Sequence, residues 1–170
     1  RPADINETLE CWQIALKSQN TPSAIALSRQ KLPYINPSHT KENKSELGAY
    51  IVNITSQDNA VTLVASGSEV ELALHAQKEL KEINIDSKVV SMPCQELFNQ
   101  QSVNYKNEII NKDVPVITIE ASSVSSWEKY SKNNMGIKTF GESAPFKEVY
   151  SHFDLTSAKI VELTKKIIKK

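Results

Sequence analysis

Residues 61–70 read Val61-Thr62-Leu63-Val64-Ala65-Ser66-Gly67-Ser68-Glu69-Val70. Five apolar or β-branched residues in a row form a short run bounded by small residues. That is how a strand buried on both faces reads, and such strands belong to parallel sheets. The turn Ser66-Gly67-Ser68 then hands over to a helical period, with Val70, Ala73, Leu74, Gln77 and Leu80 on the inward side. Ser68 and Glu71 have capping-box spacing and predict the start of that helix.

The same alternation continues in both directions. Ala49 to Ile54 reads as a strand before this unit, and Lys88 to Ser91 as the strand after it, stopped by Pro93. Helical stretches follow through Leu97 and Phe98 and through Tyr105, Ile109 and Ile110. Val116 to Ile119 is the next strand, Trp127 and Tyr130 lie on a short helix, and Ile137 to Phe140 is a late strand. Helices near Phe146 to Phe153 and over 157–168 close the chain. Strands alternating with helices predict an α/β fold: a three-layer sandwich with a mostly parallel mixed sheet and helices on both faces.

Upstream the pattern breaks. Asp4 and Glu7 form a capping-box-like start, and Ile5, Leu9, Trp12 and Leu16 recur at helical spacing, predicting a helix over 5–18 that ends at Asn20-Thr21-Pro22. Ala24 to Leu27 reads as a short buried strand. One helix and one strand cannot bury a core alone, so this opening must pack against something further. Lys31 to Leu47, with Pro33, Pro37, His39 and the run Lys41-Glu42-Asn43-Lys44, reads as a linker. The chain opens on Arg1-Pro2-Ala3-Asp4 without an initiator methionine and reads as cut from something longer.

Composition narrows the function classes. With 39% hydrophobic and 24% charged residues the chain has the balance of an ordinary globular protein. Lys+Arg and Asp+Glu both number 20, leaving no net field to draw in a polyanion, and nucleic-acid binding is not expected. The basic run Lys165, Lys166, Lys169 and Lys170 reads as a solvated last helical turn. Cys11 and Cys94 stand far apart with no CxxC spacing, which fits a reducing, cytoplasmic setting rather than a disulfide scaffold or zinc site. No apolar stretch approaches the roughly 20 residues a bilayer needs, so no membrane partner is predicted. His39, His75 and His152 are isolated in sequence and read as surface or satisfied histidines. Trp127, Tyr130, Phe140, Phe146, Tyr150 and Phe153 crowd the last third and read mostly as core.

Ser66-Gly67-Ser68-Glu69 could present N–H groups to an anion at a helix start. It carries neither GxGxxG nor a Walker lysine, and Glu69 would repel a phosphate there. A tight turn and cap is the plainer reading, with a vestigial anion or effector pocket as the alternative.

A set of strings in fixed order carries a resemblance. They are Arg1-Pro2-Ala3-Asp4 with Asn6-Glu7; Thr21-Pro22-Ser23; Leu27-Ser28-Arg29-Gln30-Lys31-Leu32-Pro33; and Lys44 to Tyr50. Ala65-Ser66-Gly67-Ser68-Glu69-Val70, Val90-Ser91-Met92-Pro93 and Glu96-Leu97-Phe98 follow. The tail adds Glu120-Ala121, Trp127-Glu128-Lys129-Tyr130, Phe140-Gly141-Glu142-Ser143-Ala144-Pro145, Tyr150 and Phe153. Together they resemble the last part of the transketolases. One departure is Lys138, where that family usually has an acidic residue.

The resemblance implies residues 1–36 as the tail of a pyrimidine-binding domain, 37–48 as linker and 49–170 as a complete C-terminal domain. It implies transfer of a two-carbon ketol unit between ketose and aldose phosphates by a full-length homodimer carrying thiamine diphosphate and a divalent metal, Mg or Ca. The family's metal, diphosphate and cofactor-activating motifs lie outside the stretch matched here, so the resemblance implies no catalytic, cofactor or metal residue in this chain and no turnover by it alone. One functional residue carries over: Arg29, matching the family arginine that binds the sugar phosphate. A planar guanidinium fork suits phosphate oxygens, and an interdomain salt bridge is its structural alternative. A stand-alone regulatory or dimerisation module of the same fold, or the equivalent part of a dihydroxyacetone synthase, are the other functions open to the sequence.

Overall fold

A computed structural model describes residues 1–35 and 42–169. Strands β1 (Tyr50–Ile54), β2 (Val61–Ala65), β3 (Ser87–Ser91), β4 (Val116–Glu120) and β5 (Asn133–Gly136) form one sheet in the order β1-β3-β2-β4-β5. β1 runs antiparallel to β3, and every other pairing is parallel. The quoted run is the central strand, and all five of its residues are buried. It has to be apolar throughout because both faces are covered.

Helix α1 (Ile5–Lys17) precedes the sheet. Helix α2 (Glu69–Glu82) connects β2 to β3, while α3 (Gln95–Asn99) and α4 (Val103–Ile109) connect β3 to β4. β3 and β4 flank β2 on opposite sides. Right-handed crossovers therefore send α2 to one face and α3 and α4 to the other. Helices α5 (Phe146–His152) and α6 (Ser157–Ile168) follow β5. On the α2 face, Val61, Leu63, Ala65, Val89, Ile117 and Ile119 pack with Val70, Ala73, Ala76 and Leu80 of α2 and Ile160 of α6. On the other, Val64, Val90 and Val116 pack with Phe98, Ile109 and Trp127. Alternate side chains of each strand feed the two cores, as the pleat requires. The three-layer architecture is the predicted one.

Several local readings need correction. Ala24 to Leu27 is not a strand. Among the described residues no neighbouring strand pairs with it, and Leu27 is 58% exposed. The late strand is Asn133–Gly136 rather than 137–140. Here tertiary pairing overrides β-propensity: Ile117 to Glu120 align with Asn133 to Gly136, the Thr118 hydroxyl donates to Asn134, and Asn134 Nδ2 donates to the Ser131 carbonyl. Gly136 is needed there, since a Cβ would meet Val124 Cγ1 at 2.4 Å and the Ser122 carbonyl at 2.8 Å. Ser68 makes no side-chain cap and bonds Glu69 instead. Leu74 is half-buried, and Ala76 takes its place in the core. The expected helix at Trp127 and Tyr130 is a 3-10 turn, Ser125–Trp127.

Of the late aromatics only Trp127 is buried. Tyr130, Tyr150 and Phe153 are half-buried, and Phe140 and Phe146 are exposed. His75 and His152 are exposed, as expected, whereas Pro37, His39 and Lys41 lie outside the described residues. The end of the expected linker is an ordered 3-10 turn, Lys44–Leu47, closed by Gly48 at φ +78°.

Helix α1 is capped by Asp4, whose Oδ1 accepts from the Glu7 amide at 2.8 Å. Its apolar stripe faces away from the sheet, with Ile5, Leu9, Trp12 and Leu16 exposed by 59, 49, 51 and 79%. The polar edge docks instead. Glu7 Oε1 accepts from the hydroxyls of Tyr50 (2.7 Å) and Ser91 (2.5 Å), and its Oε2 from the Ala3 amide (2.7 Å). Glu10 Oε2 accepts from the amide and hydroxyl of Ser45 at 3.0 and 2.7 Å.

Candidate functional site

In an open parallel sheet the ligand crevice lies beyond the carboxyl ends of the strands, where successive crossovers leave in opposite directions. Here that point lies between the ends of β2 and β4. It is filled by the chain's own first residue. One guanidinium nitrogen of Arg1 lies 2.8 Å from Glu69 Oε2. The other pairs with Glu120 Oε1 and approaches the Ser66 hydroxyl at 3.4 Å. Main-chain bonds fix Arg1 further: the Gly67 amide donates to its carbonyl at 3.0 Å, and its own nitrogen donates to the Pro93 carbonyl at 2.8 Å.

Both carboxylates are buried, Glu69 completely and Glu120 to 4% exposure. Three of their four oxygens accept further hydrogen bonds. Glu69 Oε1 accepts from the Tyr150 hydroxyl at 2.6 Å and the Ser68 hydroxyl at 2.7 Å. Its Oε2 accepts from the Ala121 amide at 3.2 Å. Glu120 Oε2 accepts from Ser66 at 3.0 Å and from Trp127 Nε1 at 3.2 Å. Burial, and then the Glu69 charge, push the Tyr150 phenol up to about 12, so it stays a donor at neutral pH.

Two acidic groups facing one cation make this crevice a seat for a guanidinium. The arrangement answers the question left by Ser66-Gly67-Ser68-Glu69: a cation lies over the turn, with Arg1 Nη2 3.1 Å from where a Gly67 Cβ would stand. A diphosphate does not fit such a lining, because Glu69 and Glu120 would face its oxygens. Among the described residues no group of three His, Cys, Asp or Glu side chains is placed to hold a metal ion.

Arg29 stands apart from the crevice, exposed on the irregular stretch that follows α1. Among the described residues it makes no hydrogen bond or ion pair, so its fork is open to an anionic ligand. The residues leading to it, Ala26, Leu27 and Ser28, line a narrow cleft of about 70 Å³ with Arg1, Pro2, Gly67 and Ser68. Beyond Arg29 the stretch is caught again, where the Ile35 amide donates to Asp4 Oδ2 at 3.0 Å. Sequence reading singled out Arg29 but not Arg1, Glu69 and Glu120 as a unit. The three lie in separate stretches of the sequence, and no spacing among the chain's 20 Lys and Arg residues singles out Arg1 as the partner of these two carboxylates.

Cys11 and Cys94 line a second cleft, of about 90 Å³, with Ile14, Ile25 and Leu97. Burial pushes the Cys11 thiol up to about 11, which leaves it protonated and poorly nucleophilic. No described helix is long and apolar enough to cross a membrane.

Comparison with known proteins agrees with this architecture. A family profile described as "Transketolase-like TK C-terminal domain" matches residues 48–156. A transketolase of Sinorhizobium medicae (strain WSM419) is 43% identical over 165 residues, which are 95% of this chain and 24% of that protein. The solved transketolase of Leishmania mexicana superposes with a TM-score of 0.90 at 38% identity, covering 99% of this chain and 25% of that one. A Pichia stipitis transketolase, solved in complex with sedoheptulose-7-phosphate, gives 0.92 at 36% identity and covers 99% of this chain and 25% of that one. The chain thus spans about a quarter of the length of these relatives.

Proposed function

The chain belongs to the transketolase family, and on that premise we propose that it is the C-terminal part of a thiamine-diphosphate-dependent transketolase. The whole enzyme moves a two-carbon ketol unit from a ketose phosphate to an aldose phosphate in the pentose phosphate pathway of the cytoplasm. It works as a homodimer with a divalent metal. Within it, residues 1–36 are the end of the pyrimidine-binding domain, 37–48 the linker and 49–170 the C-terminal domain. Thiamine diphosphate supplies the carbanion chemistry from elsewhere in the longer protein. This stretch alone has no turnover.

The chain's own contribution is Arg29, which binds the phosphate of the sugar. The single observation carrying that reading is its exposed guanidinium, unpaired among the described residues, within the Leu27-Ser28-Arg29-Gln30 string. Two parallel charge-assisted bonds to phosphate hold one end of the substrate and orient the reacting carbon. The sugar-phosphate complex of the Pichia stipitis relative supports the substrate class.

The test is Arg29→Leu in the full-length enzyme. Losing charge-assisted bonds to phosphate raises KM for an aldose phosphate roughly 10- to 100-fold, with KM for the same aldose lacking phosphate unchanged. Equal KM values for the phosphorylated sugar before and after substitution reject the assignment. Calorimetric titration of the 170-residue chain with thiamine diphosphate gives no heat of binding, and tight binding overturns the division of labour.

A further inference from the structure

We infer that Arg1 and Asp4 are positioning residues for Arg29: they fix the stretch that carries it against the carboxyl end of β2. The inference rests on the reading of Arg29 as the phosphate-binding residue. It is carried by a different set of contacts.

Among the described residues between α1 and the turn at residue 44, the chain carrying Arg29 forms no helix or strand. Such a stretch points a side chain reproducibly only if its neighbours are held. One close approach and one hydrogen bond do this. Before Arg29, Ala26, Leu27 and Ser28 lie along Arg1 and Pro2, facing Gly67 and Ser68 across the narrow cleft. After it, the Ile35 amide is bonded to Asp4 Oδ2. Arg1 and Asp4 are themselves among the most firmly held groups in the chain. Arg1 is fixed by two buried carboxylates, a hydroxyl and two main-chain bonds. Asp4 is 5% exposed and spends its other oxygen capping α1.

The buried ion pairs thereby acquire a use beyond holding the crevice shut. A long arginine reaching into the sheet provides a fixed wall of the cleft along which the approach to Arg29 runs. One aspartate both starts a helix and ties down the far side of the same stretch. Neither residue touches the ligand, so their influence has to pass through Arg29.

The test uses the full-length enzyme with Arg1→Lys, which keeps the charge but loses the two-pronged grip, and Asp4→Asn, which keeps an acceptor for the cap but loses one of its two acceptors. Each raises KM for an aldose phosphate about 5- to 20-fold, leaving kcat and KM for the unphosphorylated aldose within about twofold. In an Arg29→Leu background neither substitution changes KM further. A purely structural role would depress turnover of both aldoses together and would persist in that background. Folded variants with unchanged KM for the phosphorylated sugar, alongside a strong Arg29→Leu effect, overturn the inference but leave the Arg29 assignment standing. An inert Arg29→Leu rejects the assignment itself. Should Arg1→Lys fail to fold, Asp4→Asn carries the same comparison.

Discussion

Tyr50 donates its phenolic proton to Glu7 Oε1 over 2.7 Å, joining the first strand of the sheet to a helix 43 residues earlier in the chain. Glu7 is 2% exposed, and its described partners are all donors: Tyr50, Ser91 and the Ala3 amide. Tyr50→Phe removes one of them and leaves a buried acceptor short of a proton. The expected loss is about 1–3 kcal/mol in urea unfolding at pH 7. A change below about 0.3 kcal/mol would show the bond to be dispensable.

The same carboxyl predicts a pH trend. Burial raises the Glu7 pKa above its ordinary 4.5, and the bonds from Ser91, Tyr50 and Ala3 only partly hold it down. The folded chain therefore binds this proton more tightly than the unfolded one. The contribution of Glu7 is most favourable below 4.5 and falls as pH rises through the window above it, by about 1.4 kcal/mol per unit of displacement. Glu7→Gln removes the titration. Its deficit in melting temperature relative to the parent chain should shrink between pH 4.5 and pH 7.5, and a deficit that grows would reverse the sign.

Two glycines give opposite expectations for the same substitution. Gly48 stands at φ +78°, and a Cβ there would meet the Phe98 nitrogen at 2.1 Å and the Cys94 carbonyl at 2.5 Å. Both atoms are main chain and cannot swing away. Gly48→Ala should cost on the order of 3 kcal/mol or more, combining left-handed strain with overpacking. Gly141 has nothing within 4 Å of its added Cβ, so Gly141→Ala should stay within about 0.5 kcal/mol. Thermal unfolding of the pair checks both.

Leucines separate the buried from the open side of the molecule. Leu80 is fully buried between α2 and the sheet, and Leu80→Ala should cost about 2–5 kcal/mol. Leu16, 79% exposed, should lose less than about 0.5 kcal/mol in the 170-residue chain. In the full-length protein the second figure should rise if the α1 stripe is covered there, as the proposed domain division requires. Equal values in both settings would argue that the stripe remains wet.

Cys11 offers a chemical check. With its pKa at about 11 rather than 9.0, it presents about a hundredfold less thiolate at pH 8 than an unperturbed cysteine. Mass-resolved alkylation by iodoacetamide should be slower at Cys11 by that order than for a free thiol peptide. Comparable rates would mean that the α1 cleft opens readily.

How far the fold was legible depends on which term decided each element. β2 and α2 could be read from sequence because burial on both faces and a 3.6-residue period write themselves into Val61 to Leu80. β5 could not. Asn133 and Asn134 have poor strand propensity and are held by Ser131 just before them and by Thr118, which only the folded sheet brings near. Ala24 to Leu27 failed in the other direction, since an apolar run is a strand only where a neighbouring strand accepts its bonds. At the candidate site, Arg29 was reachable because its string is distinctive. The Arg1, Glu69 and Glu120 unit joins positions up to 119 residues apart (120 minus 1) and leaves no local pattern.

The placement of Arg1 also bears on where a separable unit starts. Recognisable similarity to the C-terminal domain family begins at residue 48. A chain trimmed there would leave Glu69 and Glu120 interred with no counter-ion, and would strip Tyr50 and Ser91 of their common acceptor. Stranded charges of that kind swell a domain or drive it to take up protons. A C-terminal domain cut at residue 48 would thus be missing the arginine that lies over the carboxyl ends of its own strands.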